Sequence, residues 1–204
     1  MNKASEIARL KITLDHVKPP VVRRVEVPAD IRLDDLHLVI QIVMGWENYH
    51  LYEFRTRGGR WSLIDPDFAD ADVRSASKAT LAELLKQGGA KGIKYTYDFG
   101  DGWEHTVKVE AVSPAAADAT YPRLLDAKGA CPPEDVGGPW GYAEYLEAIA
   151  DPDHERHEEF IEWRGPRFDP TRVNEAAVRK QLERLTKRPA SRKGKASSKP
   201  KHAG

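Results

Sequence analysis

The sequence predicts an α+β fold: a single domain in which an antiparallel sheet built from β-hairpins packs against helices, with a helical C-terminal part. Three observations lead there. Segments with period-two alternation of apolar residues dominate the first half, a glycine turn between aromatic-rich runs marks a hairpin near the middle, and period-3.6 patterns close the chain. Strands that lead and helices that follow favour an antiparallel sheet over alternating βαβ units.

Ala8, Leu10, Ile12 and Leu14 alternate with Arg9, Lys11 and Thr13, the pattern of a strand with one buried face. Lys18-Pro19-Pro20 ends it, and "VVRRVEVP" reads as its partner strand, closed by Pro28, which lacks a donor. Leu33, Leu36, Ile40, Val43 and Met44 share one face of a helix whose first turn holds Asp34 and Asp35 and whose stop is Gly45. "HLYEFR" (50–55) and "RWSLI" (60–64) read as short strands about Gly58-Gly59. Thr80 and Glu83 form a capping box at the start of a second helix, striped by Leu81, Leu84 and Leu85 and ended at Gly88.

The stretch "YTYDFGDGWEHTVKVE" (95–110) reads as a hairpin. A three-residue loop, Gly100-Asp101-Gly102, sets Phe99 opposite Trp103, Tyr97 opposite His105 and Tyr95 opposite Val107, keeping one face apolar, with Gly102 in the left-handed conformation. This register puts Asp98 opposite Glu104, a repulsive pair that asks for a cation at the tip unless Asp98 caps the turn through backbone amides. His105 falls on the aromatic face, either as a buried histidine bonded to a carbonyl or as a ligand. "CPPEDVGGPWGY" (131–142) is too rich in proline and glycine for regular structure; Trp140 reads as a plug between sheet and helices, or with Tyr142 as apolar contact area for a ligand. Helical patterns follow at 142–150, 153–164 and 174–186.

Composition excludes several classes. At 204 residues, 40% hydrophobic and 31% charged, with no long apolar run and no secretory leader pattern, the chain reads as cytosolic and not membrane-embedded. Cys131 is the sole cysteine, so no intrachain disulfide or thiolate cluster can form. The formal charge of zero conceals a division: 187–204 carries seven Lys/Arg and no acid, leaving residues 1–186 at −7. The expected division is therefore a domain over 1–186 and a disordered basic tail over 187–204, whose Lys187, Arg188, Arg192, Lys193 and Lys195 could hold nucleic acid weakly through phosphates or simply solubilise the chain. A body at −7 argues against direct DNA recognition by the domain itself.

The hairpin, "MGWENYHLYEF" (44–54) and "CPPEDVGGPWGYAEYLEAIADPDHERHEEF" (131–160) together closely resemble the plasmid pRiA4b ORF-3-like family, whose members are also labelled insertion-element passenger or resolvase-like proteins. The resemblance covers about residues 6–185. It implies an α+β fold and an association with plasmids and mobile elements, but no mechanism. Two positions depart from the pattern: Val22, where tryptophan is usual, and Arg32, where a Thr or Ser helix cap is usual. Recombinase chemistry is absent: no serine stands in the context a serine recombinase needs, and His154 is followed three residues on by His157 where a tyrosine recombinase needs arginine.

Two functional expectations remain. The first is a non-catalytic module that binds a protein or peptide through His50, Asp98, Asp101, Trp103, Glu104, His105, Asp135, Trp140 and Tyr142, with no obligatory cofactor. The second is a divalent-metal-dependent hydrolase centred on the DFGDGWEH hairpin, with Asp98, Glu104, His154 and His157 as candidate metal ligands and His50 and Asp135 in a wider set. The His-x-x-His spacing at 154–157 does not match the zinc-protease helix, so a solvated acidic helix is its plain alternative.

Overall fold

Alternating apolar positions on neighbouring strands line up into rows across the inner face of one sheet, and those rows decide the architecture of this computed structural model, which describes residues 6–64, 72–87 and 92–186. In chain order the elements are β1 (Glu6–Leu14), β2 (Val21–Pro28), α1 (Leu33–Met44), β3 (Tyr52–Thr56), β4 (Gly59–Ser62), β5 (Val73–Ser75), α2 (Leu81–Lys86), β6 (Ile93–Tyr97), β7 (Trp103–Pro114), β8 (Arg123–Lys128), α3 (Gly138–Ala150), α4 (His157–Arg164) and α5 (Glu175–Thr186). The eight strands form one sheet in the order β5-β4-β3-β6-β7-β1-β2-β8, antiparallel except for β4 with β5. The α+β expectation is met.

One row runs Phe54–Tyr95–His105–Leu14–Val21 and the next Tyr52–Tyr97–Trp103, all buried. Helix α1 crosses this face. Its His37 stacks on Tyr52 with ring centroids 3.7 Å apart, and at its far end the carbonyl of Val43 accepts from Arg23 Nε at 2.6 Å. Arg23 is a buried cation that the alternation alone reads as apolar; carbonyls of Val22 and Lys128 accept from its Nη1. Burial of so many aromatics is the main stabilising term here. The opposite face is wet and carries ion pairs, among them Arg9–Glu26–Arg123 and Lys94–Asp15.

The hairpin register differs from the expected one. Tyr97, not Phe99, pairs with Trp103, and Tyr95 pairs with His105, so the connection is the five-residue loop 98–102. Phe99 is 56% exposed, and Thr96, not Asp98, lies opposite Glu104. Both registers keep an apolar face, since they differ by an even step in the pairing. The observed one wins because Tyr97 and Tyr95 then pack against Trp46 and His37, contacts the hairpin sequence does not contain. The repulsive pair thus disappears. Asp98 Oδ1 does accept from Gly100 N at 2.9 Å, and Gly102 is left-handed (φ 67°), as the sequence suggests.

Elsewhere the capping box of Thr80 and Glu83 is formed, and the N-cap Arg32 makes no side-chain cap bond, pairing instead with Asp34 and Asp35. Gly88 lies outside the described residues. Helix α3 starts at Gly138, four residues before the expected onset, and α4 at His157, four after it. Strands β5 and β8 were not anticipated: β8, at one edge of the sheet, buries Leu124 but little else, so its alternation is faint.

Candidate functional site

Three loops meet at the end of the sheet where β6 and β7 join, and each is pinned by local chemistry. Gly45 closes α1 by donating to Gln41 O, after which Trp46 turns inward, stacks on Tyr97 and donates from Nε1 to Pro132 O at 3.1 Å. Asn48 then takes a left-handed conformation (φ 62°), and its Oδ1 lies 2.6 Å from His37 Nε2. His37 therefore donates from Nε2 and accepts the Tyr95 hydroxyl at Nδ1 (2.8 Å), a tautomer that needs a neutral ring. Burial pushes its pKa down to about 4. This anchor presents the next two residues, Tyr49 and His50.

Asp98 opens the second loop, left-handed at φ 53°, with its amide bonded to Leu51 O at 2.9 Å. The third loop carries Glu134 and Asp135, the latter at φ 58°. Asp and Asn are the non-glycine residues that best tolerate this region, which explains their use at all three turns. The loops interlock. Gly137 N donates to Asp101 Oδ2 (3.2 Å), and a Cβ on Gly138 would meet Asp101 O at 2.3 Å, so only glycine lets α3 approach the hairpin tip.

The result is a convergence on His50 Nε2. Asp135 Oδ1 stands 3.0 Å away, Asp98 Oδ2 3.6 Å and Glu134 Oε2 3.9 Å. Single donor atoms of His50, Asp98 and Asp135 lie within 4.8 Å of one another. Donors bound at ~2.1 Å to one cation at tetrahedral or octahedral angles would be spaced roughly 3.0–3.4 Å apart; the His50–Asp135 distance of 3.0 Å falls in that range and the His50–Asp98 distance of 3.6 Å just outside it. Two atoms are conspicuous. His50 Nε2 is buried without a hydrogen bond despite the nearby carboxylates, and Glu134 Oε2 is likewise unpartnered, in a side chain 9% exposed. A ring N–H can serve one acceptor in line, whereas a cation could be shared by the donors of His50, Asp98 and Asp135.

Glu134 is held through its other oxygen. Oε1 accepts from Glu47 N (2.8 Å) and from the Tyr97 hydroxyl (3.1 Å), while that hydroxyl accepts from the amides of Tyr49 (3.1 Å) and His50 (3.4 Å). Burial, then the neighbouring Glu134 charge, raises the Tyr97 phenol above its ordinary range. One buried hydroxyl thereby ties the first and third loops together, on the residue that precedes the second.

A groove of about 850 Å³ runs from His50 and Tyr49 past Leu38 and Asp34 to Leu185. Around the cluster stand exposed apolar side chains: Tyr49 and Leu51 flank His50, Phe99 follows Asp98, and Trp140, 88% exposed, projects from the first turn of α3. Trp140 is therefore not the plug between sheet and helices that its size suggested; Tyr142 and Trp103 are the buried aromatics of these segments. A tryptophan two residues from a close helix–loop contact has no room to turn inward, because Gly138 and Gly141 already bring backbone to backbone.

The remaining candidates lie elsewhere. His105 is fully buried and its Nδ1 contacts the carbonyls of Tyr95 and Trp103 at 3.2 and 3.1 Å, with burial lowering its pKa to about 4. Glu104 faces His16 at 3.5 Å. His154 Nδ1 accepts from Arg156 N, and His157 Nδ1 donates to Ala148 O. Asp101 serves the loop contact described above. Lys187, Arg188, Arg192, Lys193 and Lys195 lie outside the described residues. Glu134 and Tyr97 are site residues that sequence reasoning did not single out; the only signal was that "CPPEDVGG" places a second acid beside Asp135.

An eight-stranded α+β scaffold that gathers one histidine and three acids from interlocked loops defines the class: a single-domain protein with an acidic cluster about a histidine that also lines a groove. The chain belongs to the Plasmid pRiA4b ORF-3-like protein family, which it matches over residues 6–177. It is 50% identical over 182 residues to "Uncharacterized protein y4hQ" of Sinorhizobium fredii (strain NBRC 101917 / NGR234), covering 89% of this chain and 93% of that one. Among solved structures it resembles "Protein of Unknown Function MM3350" from Methanosarcina mazei Go1, with TM-score 0.76 and 34% identity, over 85% of this chain and 98% of the other. Among the described residues no helix is long and apolar enough to cross a membrane.

Proposed function

We propose that the chain is a divalent-cation-dependent binding protein: His50, Asp98 and Asp135, with Glu134 as a fourth donor, hold the cation, and the apolar rim of Tyr49, Leu51, Phe99 and Trp140 receives a protein or peptide partner beside it. The observation that carries the reading is the grouping of single donor atoms of His50, Asp98 and Asp135 within 4.8 Å of one another, with the buried, unpartnered Oε2 of Glu134 3.9 Å from His50 Nε2. Three carboxylates and one imidazole favour a borderline-to-hard ion such as Mn²⁺ or Zn²⁺ over a thiophilic one. The same reading takes the protein to be cytosolic and derived from a plasmid or mobile element. Titration calorimetry with Mn²⁺ and Zn²⁺ tests it. One ion per chain should bind, with affinity falling at least 100-fold in Asp98→Asn/Asp135→Asn; heat of binding that is absent, or unchanged in the double variant, refutes it.

The hydrolase reading shares this centre, because a three-donor set leaves coordination positions for water and the groove adjoins it. Metal-dependent release of p-nitrophenol from an ester probe, lost in the same double variant, would select it over the binding role.

A further inference from the structure

We propose that a second cavity, between the C-terminal end of α1, the loop 131–134 and the segment 164–168, binds a small organic acid: its carboxylate meets Arg164, Arg167 and the Tyr145 hydroxyl, and its apolar body lies against Trp46 and Phe168. The inference does not rest on the cation reading.

The cavity has a volume of about 280 Å³, and much of its wall is apolar, with Met44, Trp46, Pro132, Pro133 and Phe168 contributing. Phe168 packs edge-on against Tyr145 with ring centroids 5.5 Å apart, while Trp46 is fixed by its stack on Tyr97 and its Nε1 bond to Pro132 O. Such walls suit an apolar body oriented by a few polar groups. At about 30 Å³ per water the space equals about nine waters, enough for a molecule of about ten non-hydrogen atoms and too little for a peptide.

The polar groups decide the ligand's charge. Tyr145 is fully buried, yet its hydroxyl has no hydrogen-bond partner among the described residues, an idle donor that a bound acceptor would satisfy. Burial raises the Tyr145 phenol, and the charge of Arg164 opposes that rise, so the guanidinium acts at this hydroxyl. Arg164 and Arg167 are exposed at the cavity, and among the described residues neither forms an ion pair; Arg164 lies over the Trp163 ring, 5.1 Å from its centroid. A third guanidinium stands behind the wall. Arg23 directs its hydrogen bonds to the carbonyls of Val43, Val22 and Lys128, and its charge opposes the rise that burial imposes on the Cys131 thiol, which lines the cavity. Guanidinium groups without carboxylate partners, beside an apolar wall, recognise a carboxylate through paired N–H donors. Glu47 and Glu134 also line the cavity but are held by the first loop and Tyr97: Glu134 Oε1 accepts from Glu47 N and the Tyr97 hydroxyl, and Glu47 Oε2 accepts from the Tyr49 hydroxyl. Their charge disfavours a second carboxylate on the ligand, so the class is a monocarboxylate.

The test is titration of the ¹⁵N-labelled full chain with phenylacetate, read by two-dimensional NMR at the indole N–H of Trp46. A saturable shift is expected, and phenylacetamide, the neutral counterpart of similar shape, should bind at least 10-fold more weakly. Affinity for phenylacetate should fall at least 10-fold in Arg164→Gln/Arg167→Gln, a change at two exposed positions that leaves the core intact. Tyr145→Phe separates a ligand role from a structural one: removing a hydroxyl that is idle in the free protein leaves the thermal midpoint unchanged or raised, while affinity falls at least fivefold. No shift at Trp46 up to about 10 mM phenylacetate overturns the proposal, as does equal binding of the amide or unaltered affinity in the arginine double variant. A lowered midpoint in Tyr145→Phe shows that the hydroxyl already has a partner and overturns its part in the site.

Discussion

At the scale of single residues, the site depends on side chains that never touch a ligand. Tyr97 is the clearest: its hydroxyl bonds Glu134 and the amides of Tyr49 and His50, so Tyr97→Phe keeps the packing and removes the tie. We expect Mn²⁺ affinity to fall about 10-fold with the thermal midpoint lowered only slightly, in line with the effect of losing a group that orients metal ligands; unchanged affinity by calorimetry would show that the backbone alone positions Glu134. His37 and His105 lead to a second expectation. Both are buried with pKa lowered to about 4, whereas unfolded histidine titrates near 6.5. The unfolded chain therefore takes up protons first, and the stability these groups permit, full above about pH 6.5, erodes as pH falls toward 4. Together they should cost on the order of 3 kcal/mol between pH 6.5 and 5, visible as a falling urea midpoint; a flat profile over that window contradicts their burial as neutral rings. The burial of His105 against a carbonyl was legible from its place on the aromatic face. That of His37 was not, because nothing local announces that Asn48 and Tyr95 will meet it.

At the scale of elements, the glycines of "DVGGPWG" explain how a helix can start against a hairpin. Gly138 is left-handed (φ 69°), and its missing Cβ is where the carbonyl of Asp101 sits. Gly138→Ala should destabilise by about 2–4 kcal/mol through the clash and the strained φ. It should also weaken cation binding, since Asp135 lies on the same loop. A variant with parental stability would mean that the loop has slack the structure does not suggest. Sequence patterns found β1, β2, α1, the capping box and the hairpin because each is stated by local periodicity or punctuation. The hairpin register slipped by a pair because the sequence of two strands does not say that Trp46 waits beneath Tyr97. Strand β8 escaped because an edge strand needs little buried surface and so shows little alternation.

At the scale of the whole molecule, one face of an eight-stranded sheet is filled with aromatics and covered by helices, and the loops at one end of it are left to do something other than connect. Fold class and family followed from the long motifs in the chain, and so did the suspicion of His50, Asp98 and Asp135. Their convergence did not, since it arises from three loops separated by nearly ninety residues of chain and joined through Tyr97 and Asp101. Cation binding by this end should stabilise the whole fold, by about 2.7 kcal/mol at a hundred times the dissociation constant. Anomalous diffraction at the manganese edge, from crystals of the full chain grown with Mn²⁺, locates any cation directly. A cation held there gives a single strong peak bounded by His50 Nε2 and the carboxylates of Asp98, Glu134 and Asp135, absent from Asp98→Asn/Asp135→Asn; a peak elsewhere, or none there at saturating Mn²⁺, refutes cation binding at this end of the sheet.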